Sequence, residues 1–240
     1  MQVYISNTYR EMSAHAAGDM VGALKSIDQP LVCVASGDTP AGMYSELLKH
    51  IESKHTDISG WRFVGLDEWG GMNGDDEGSC RYHLDRQLFK PAGIAEEKIC
   101  FFDGRGDADR ECKRIEDFIT AHGGIDVAIL GLGMNGHVGM NEPGSSVDIL
   151  SHKAALDPLT AQVGQKYFSK PVKLEYGLTL GIGSLMKAKK VFLLVNGPRK
   201  AEIVKKVIGG EITHAVPATL LRNHPALGIY LDKEAAQLLQ

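Results

Sequence analysis

Short apolar runs recur along the chain and are separated by stretches of helical periodicity. Leu31-Val-Cys-Val-Ala35, Ile125-Asp-Val-Ala-Ile-Leu130, Lys190-Val-Phe-Leu-Leu-Val195 and Ala226-Leu-Gly-Ile-Tyr-Leu231 are each five or six residues long. They are rich in β-branched residues and nearly continuous in hydrophobicity, the pattern of strands covered on both faces. Met1 to Ile5, Arg62 to Leu66 and Lys98 to Phe102 extend the series. Between the runs, helical spacing groups Met12, Ala16, Met20 and Leu24; Met43, Leu47, Leu48 and Ile51; Ile115, Phe118 and Ile119; and Ile203, Val204 and Val207. This alternation over 240 residues predicts one α/β domain, residues 1–240. Its core is a single doubly wound, mostly parallel, Rossmann-like sheet with helices on both faces. The ligand of such a sheet belongs at the carboxyl ends of its strands.

Local signals set the element boundaries. Thr8-x-x-Glu11 is a capping box, and Gly123-Gly124 ends the helix that starts near Arg110. Thr39 is the expected N-cap of the second helix, with Pro40 at its first position, and Ser79 caps a later one. Ser145 to Leu178 is too polar and too broken for core, and a short helix is expected after the last strand.

The 125–130 run delivers Gly131-Leu-Gly-Met-Asn-Gly-His-Val-Gly-Met-Asn-Glu-Pro-Gly144. So many glycines mean a sharply turning backbone or one that something approaches closely. His137 and Glu142 within it are suited to moving protons near neutral pH. Gly131-x-Gly133-x-x-Gly136 has the spacing of a dinucleotide-binding turn, and Asp157 lies about where the acidic partner would be. Asn141-Glu-Pro-Gly144 breaks the helix that fingerprint requires, so nicotinamide binding is not expected.

Other strand ends add to the site. Ser36-Gly-Asp-Thr-Pro40 is a small-residue turn entering a helix, a cradle for an anion, although Asp38 opposes one there. Lys200, beside Arg199, sits where a helix begins; a cation there is disfavoured unless an anion is bound. Asp67-Glu68 follows a buried strand and precedes Trp69, a setting that can raise a carboxylate into the range of a base. No metal-ligand spacing accompanies these residues, so neither metal nor cofactor is expected.

Composition narrows the partners. A net charge of −4 gives no footprint for nucleic acid or an anionic membrane. No apolar run is long enough to span a bilayer, and Met1-Gln-Val-Tyr-Ile5 lacks the parts of a secretory signal. Cys33, Cys80, Cys100 and Cys112 show no paired spacing and are expected as reduced thiols. A cytoplasmic protein acting on a small molecule follows.

Taken together, Ser36-Gly-Asp-Thr-Pro40, Leu66-Asp-Glu-Trp69, Gly131-Leu-Gly-Met-Asn-Gly-His137, Asn141-Glu-Pro143 and Gly197-Pro-Arg-Lys200 resemble the glucosamine-6-phosphate deaminase/isomerase family, including its galactosamine-6-phosphate relatives. Trp69 and Gly78-Ser-Cys80 resemble the galactosamine branch. The resemblance implies that Asp67 moves a proton from C2 to C1, and that His137 opens the sugar ring, oriented by Glu142 and Asn135. It places Ser36, Gly37, Asp38, Thr39, Gly136, Lys166 and Lys200 around the substrate and its phosphate. It also implies that the 145–178 stretch is an active-site lid, with Lys166 where a phosphate-binding arginine is common. His152 and Ala154 stand where allosteric members carry basic residues, which argues against activation by N-acetylglucosamine 6-phosphate. A monomer or small homo-oligomer that releases ammonia from an amino-sugar phosphate is the resulting expectation. A 6-phosphogluconolactonase shares the histidine loop but lacks Asn-Glu-Pro after it, and a sugar-phosphate-sensing DNA regulator would need a DNA-reading module.

Overall fold

A computed structural model describes residues 1–239. In chain order its strands and helices are β1 (Gln2–Ser6), α1 (Tyr9–Leu24), β2 (Leu31–Val34), α2 (Asp38–Glu52), β3 (Arg62–Gly65), β4 (Asp67–Trp69), α3 (Cys80–Leu84), β5 (Ile99–Cys100), α4 (Ala108–Ala121), β6 (Val127–Gly131), β7 (His152–Ala155), α5 (Pro158–Gly164), β8 (Tyr176–Thr179), α6 (Ile182–Met186), β9 (Lys190–Val195), α7 (Ala201–Gly209) and β10 (Leu227–Asp232). The main sheet has seven strands in the order β1-β10-β9-β6-β2-β3-β5, and its neighbours pair in parallel.

Successive residues of each central strand enter opposite layers, as the twofold strand period requires. Leu31, Cys33, Ala128, Leu130, Leu193 and Leu231 pack with Ile115 and Ile119 of α4 and Val204 and Val207 of α7. Val32, Val34, Val127, Ile129, Leu194 and Tyr230 pack with Met12 and Met20 of α1 and Met43 and Tyr44 of α2. Both layers are closed to solvent: Ile129 and Leu130 are fully buried, and truncating either to alanine is expected to cost about 2–5 kcal/mol. Asp126 ties the bottom of the sheet together, accepting from the Leu31 N–H at 2.8 Å and pairing with Lys189 at 2.6 Å.

From β2 the chain moves to β3 on one side and later returns as β6 on the other. This reversal of winding leaves a crevice above the carboxyl ends of β2 and β6, the place where open α/β sheets bind ligands.

Three local expectations change. The 145–178 stretch is not irregular: β7 and β8 join β4 in a three-stranded antiparallel sheet, with Asp67 opposite Thr179 and Glu68 opposite Leu178. Strands of three or four residues are too short to show periodicity, and Gly177 falls inside β8. The second helix is capped by Gly37, with φ of 113°, rather than by Thr39. Thr39 instead donates its hydroxyl to Asn196 Oδ1 at 2.5 Å. Turns, not a helix, follow β10; their anchor is Asp232, which accepts from the Ala235 N–H at 2.7 Å. No helix among the described residues is long and apolar enough to cross a membrane.

Candidate active site

The crevice is a cleft of about 600 Å³. Ser36, Gly37, Asp38 and Thr39 reach it from the end of β2, Asp67 from the first position of β4 just beyond the end of β3, and Asn135 and His137 from the loop after β6. Asn196 and Lys200 follow β9, while Leu159, Thr160, Lys166 and Tyr167 come from α5 and the turn after it. Four strand ends and one overlying segment therefore converge, and the residues proposed from sequence come together with two exceptions.

Gly136 is the first. It does not line the cleft; its φ is +87°, and a Cβ there would lie 2.5 Å from Val216. A glycine is required there by the turn and by the approach of Val216. Gly133 is the glycine that the site itself requires, because a Cβ would lie 2.4 Å from the imidazole of His137. The second exception is Glu142, which is buried behind His137 and outside the cleft lining.

At one end the cleft is built for an anion. The N-termini of α2 and α7 open onto it, and Lys200 caps α7. Lys200 Nζ donates to the carbonyl of Leu132. Burial, reinforced by the neighbouring charge of Lys166, pushes the Lys200 pKa down to about 8. Lys166 lies 2.6 Å from Asp38 Oδ2, so the carboxylate that opposed an anion is paired with a cation. The loop is braced from below by Tyr9, whose hydroxyl accepts from the Gly42 N–H at 2.7 Å and lies 2.7 Å from the Asp38 carbonyl.

Asp67 and His137, two titratable groups, also line the cleft. Strand alternation separates Asp67 from Glu68. Asp67 faces the cleft, whereas Glu68 is fully buried and accepts from the N–H groups of Trp69, Cys80 and Arg81 at 2.8 to 2.9 Å. Glu68 thereby pins the start of α3 and is not available as a base. Burial raises the Asp67 pKa to about 6, and the Cys80 thiol and the charge of His137 limit the rise.

His137 Nδ1 lies 3.3 Å from Glu142 Oε2 and 3.0 Å from Thr160 Oγ1. Burial alone would raise the Glu142 pKa, but bonding and charge from His137, with help from Thr160 and Asn135, hold it below the usual range. Asn135 does not touch the imidazole ring. It donates from Nδ2 to Glu142 Oε2 at 2.8 Å and accepts the His137 backbone N–H at 3.1 Å. With Nδ1 engaged, Nε2 is the free ring nitrogen. The cleft thus pairs a carboxylate poised near neutrality with an imidazole, opposite an anion cradle. This is equipment for proton transfer on a phosphorylated molecule.

Sequence reasoning passed over Thr160, Asn196 and Tyr9. Asp157-Pro158 was a legible helix start that would have put Thr160 in a first turn. Nothing local marks the other two, whose partners lie 157 and 29 to 33 residues away.

The family model for glucosamine-6-phosphate isomerases and 6-phosphogluconolactonases matches residues 6–228. The chain belongs to that family. Within it, the glucosamine-6-phosphate deaminase of Thermoanaerobacter pseudethanolicus is 37% identical over all of this chain and 95% of its own length. That of Clostridium perfringens is 35% identical over the whole of both. A solved structure described as a monomeric glucosamine-6-phosphate deaminase superposes with a TM-score of 0.95 at 31% identity, covering 99% of this chain and 100% of that one. The 6-phosphogluconolactonase of Trypanosoma brucei, at 20% identity and a TM-score of 0.77, shares the family's fold.

Proposed function

We infer that the chain is a glucosamine-6-phosphate deaminase, converting its substrate and water to fructose 6-phosphate and ammonia. The observation that carries this is the convergence of Asp67, His137 and Lys200 on one cleft, in a family whose deaminases match the chain end to end.

The C2 proton becomes acidic only when C1 is a carbonyl, so ring opening comes first. His137 takes the proton of the anomeric hydroxyl at Nε2 and returns it to the ring oxygen as the C1–O5 bond breaks. Glu142 stabilises the imidazolium formed between the two transfers. Asp67 then removes the C2 proton and delivers it to C1, while O1 gains the proton that the C2 ammonium gives up, leaving an iminium at C2 and a hydroxyl at C1. Water adds to that carbon and ammonia departs, so the net reaction is a hydrolytic deamination coupled to an aldose–ketose isomerisation. Lys200, Lys166 and the α2 N-terminus hold the phosphate throughout. A dianion there restores the protonated form of Lys200 that burial disfavours.

Trp69 and Cys80, the residues that resembled the galactosamine branch, both line the cleft beside Asp67. Galactosamine 6-phosphate is accordingly the second candidate substrate, with tagatose 6-phosphate as its product. The reaction belongs to amino-sugar breakdown, including that of N-acetylglucosamine after deacetylation. A cytoplasmic enzyme working as a monomer or small homo-oligomer fits the sequence. The test is ammonia release by the purified chain from each amino sugar, run beside hydrolysis of 6-phosphogluconolactone. Ammonia from either sugar with no lactone hydrolysis is expected; lactone hydrolysis alone would overturn the reading.

A further inference from the structure

We propose that Thr160 is a positioning residue for His137: its hydroxyl bridges the imidazole Nδ1 and the Glu142 carboxylate and so fixes the imidazole tautomer. The proposal rests on the reading of His137 as the ring-opening group.

Two oxygens flank Nδ1, Thr160 Oγ1 at 3.0 Å and Glu142 Oε2 at 3.3 Å. An ionised carboxylate only accepts, whereas a hydroxyl has one donor and two acceptor positions. The arrangement that satisfies all three groups puts the proton on Nδ1, lets Thr160 accept it, and turns the threonine hydrogen toward Glu142. Glu142 has an acceptor free for that bond, since its Oε1 is buried without any hydrogen-bond partner. Asn135 holds the carboxylate from the far side at 2.8 Å. The consequence lies on the opposite edge of the ring, where Nε2 is left bare to receive a proton.

The start of α5 fixes where the hydroxyl lies. Thr160 is buried, and it is the third residue of α5. That helix is started by Pro158 and by Asp157, whose carboxylate accepts from the Leu159 N–H at 2.8 Å. A β-branched side chain in a helix has few rotamers, so the helix start dictates where Oγ1 lies. The same segment continues to Lys166, which pairs with Asp38 in the anion cradle. One short stretch of chain therefore touches both the proton carrier and the phosphate end, and the tautomer of His137 depends on its being seated.

Thr160→Val keeps the shape and removes the hydroxyl, while Thr160→Ser keeps the hydroxyl and removes a methyl. Steady-state kinetics on glucosamine 6-phosphate and nitrogen-15 NMR of the histidine rings in the full-length free enzyme supply the readouts. Thr160→Val should lower kcat about tenfold, less than the ~10²- to 10⁴-fold attached to an acid–base group itself, with KM changed less than about twofold. Its His137 resonances should show a larger fraction protonated at Nε2 than in the parent, with Glu142 Oε2 at 3.3 Å the acceptor left to Nδ1. Thr160→Ser should restore kcat to within about threefold and return the proton to Nδ1. Wild-type kcat with an unchanged tautomer in Thr160→Val would overturn the proposal. So would a Thr160→Ser enzyme as slow as Thr160→Val, since packing alone would then explain the loss. The tautomer readout needs no substrate, so a wild-type chain that releases no ammonia would refute the assigned reaction and leave the bridge standing.

Discussion

The Lys166 ammonium lies 2.6 Å from the Asp38 carboxylate at the mouth of the anion cradle. The pair is largely exposed, so it adds little to stability. In the proposed phosphate site its effect would be on binding, because Asp38 would compete with the substrate phosphate for Lys166.

Removing that competitor should therefore help the substrate. Asp38→Asn is expected to lower KM by about two- to fivefold with kcat unchanged, matching the free energy of an exposed ion pair. Steady-state kinetics at low ionic strength checks this, and added salt should shrink the difference.

The pH dependence of kcat/KM should have two limbs. Asp67 must be ionised to take a proton, and its pKa is raised to about 6, so activity should fall as pH drops below that value. Lys200 must be charged to hold phosphate, and its pKa is lowered to about 8, so activity should fall again above it. The acid limb also contains the substrate phosphate, whose second ionisation is near pH 6. Cys80→Ala separates the two. The thiol lowers the Asp67 pKa, so the variant's acid limb should move to higher pH while the phosphate titration stays put.

A base held in a cleft should cost stability. The folded state favours protonated Asp67, so that contribution is fully present below about pH 4 and is lost as pH rises through about 6. The gap from 3.8 to about 6 is worth up to about 3 kcal/mol. Asp67→Asn should accordingly be more stable than the parent at pH 8, by about 2 kcal/mol, and no more stable at pH 4. Urea unfolding at the two pH values measures it.

Much of this was legible before any coordinates. Runs such as Leu31 to Ala35 and Ile125 to Leu130 are dense enough in β-branched residues to announce buried strands, and the turns after them announced the cleft. The small sheet was not legible, because β4 has three residues and gains its identity only from β8, more than a hundred positions later. Asp67 and Glu68 looked alike as neighbours in sequence; only strand alternation gave one to the cleft and the other to the α3 N-terminus. Nor was it legible that Gly136 must be glycine partly because Val216, eighty residues on, lies against it. Thr160 escaped for the same reason, since a hydroxyl acquires meaning only from the imidazole it meets.

The central claim is that Asp67 carries the proton between C2 and C1. Incubating Asp67→Asn with the amino-sugar phosphate in deuterated water, and following deuterium at C2 by NMR, tests it most directly. The variant should bind the sugar phosphate with near-parental affinity, incorporate no deuterium at C2 and release no ammonia. Exchange at C2 at the parental rate would contradict it.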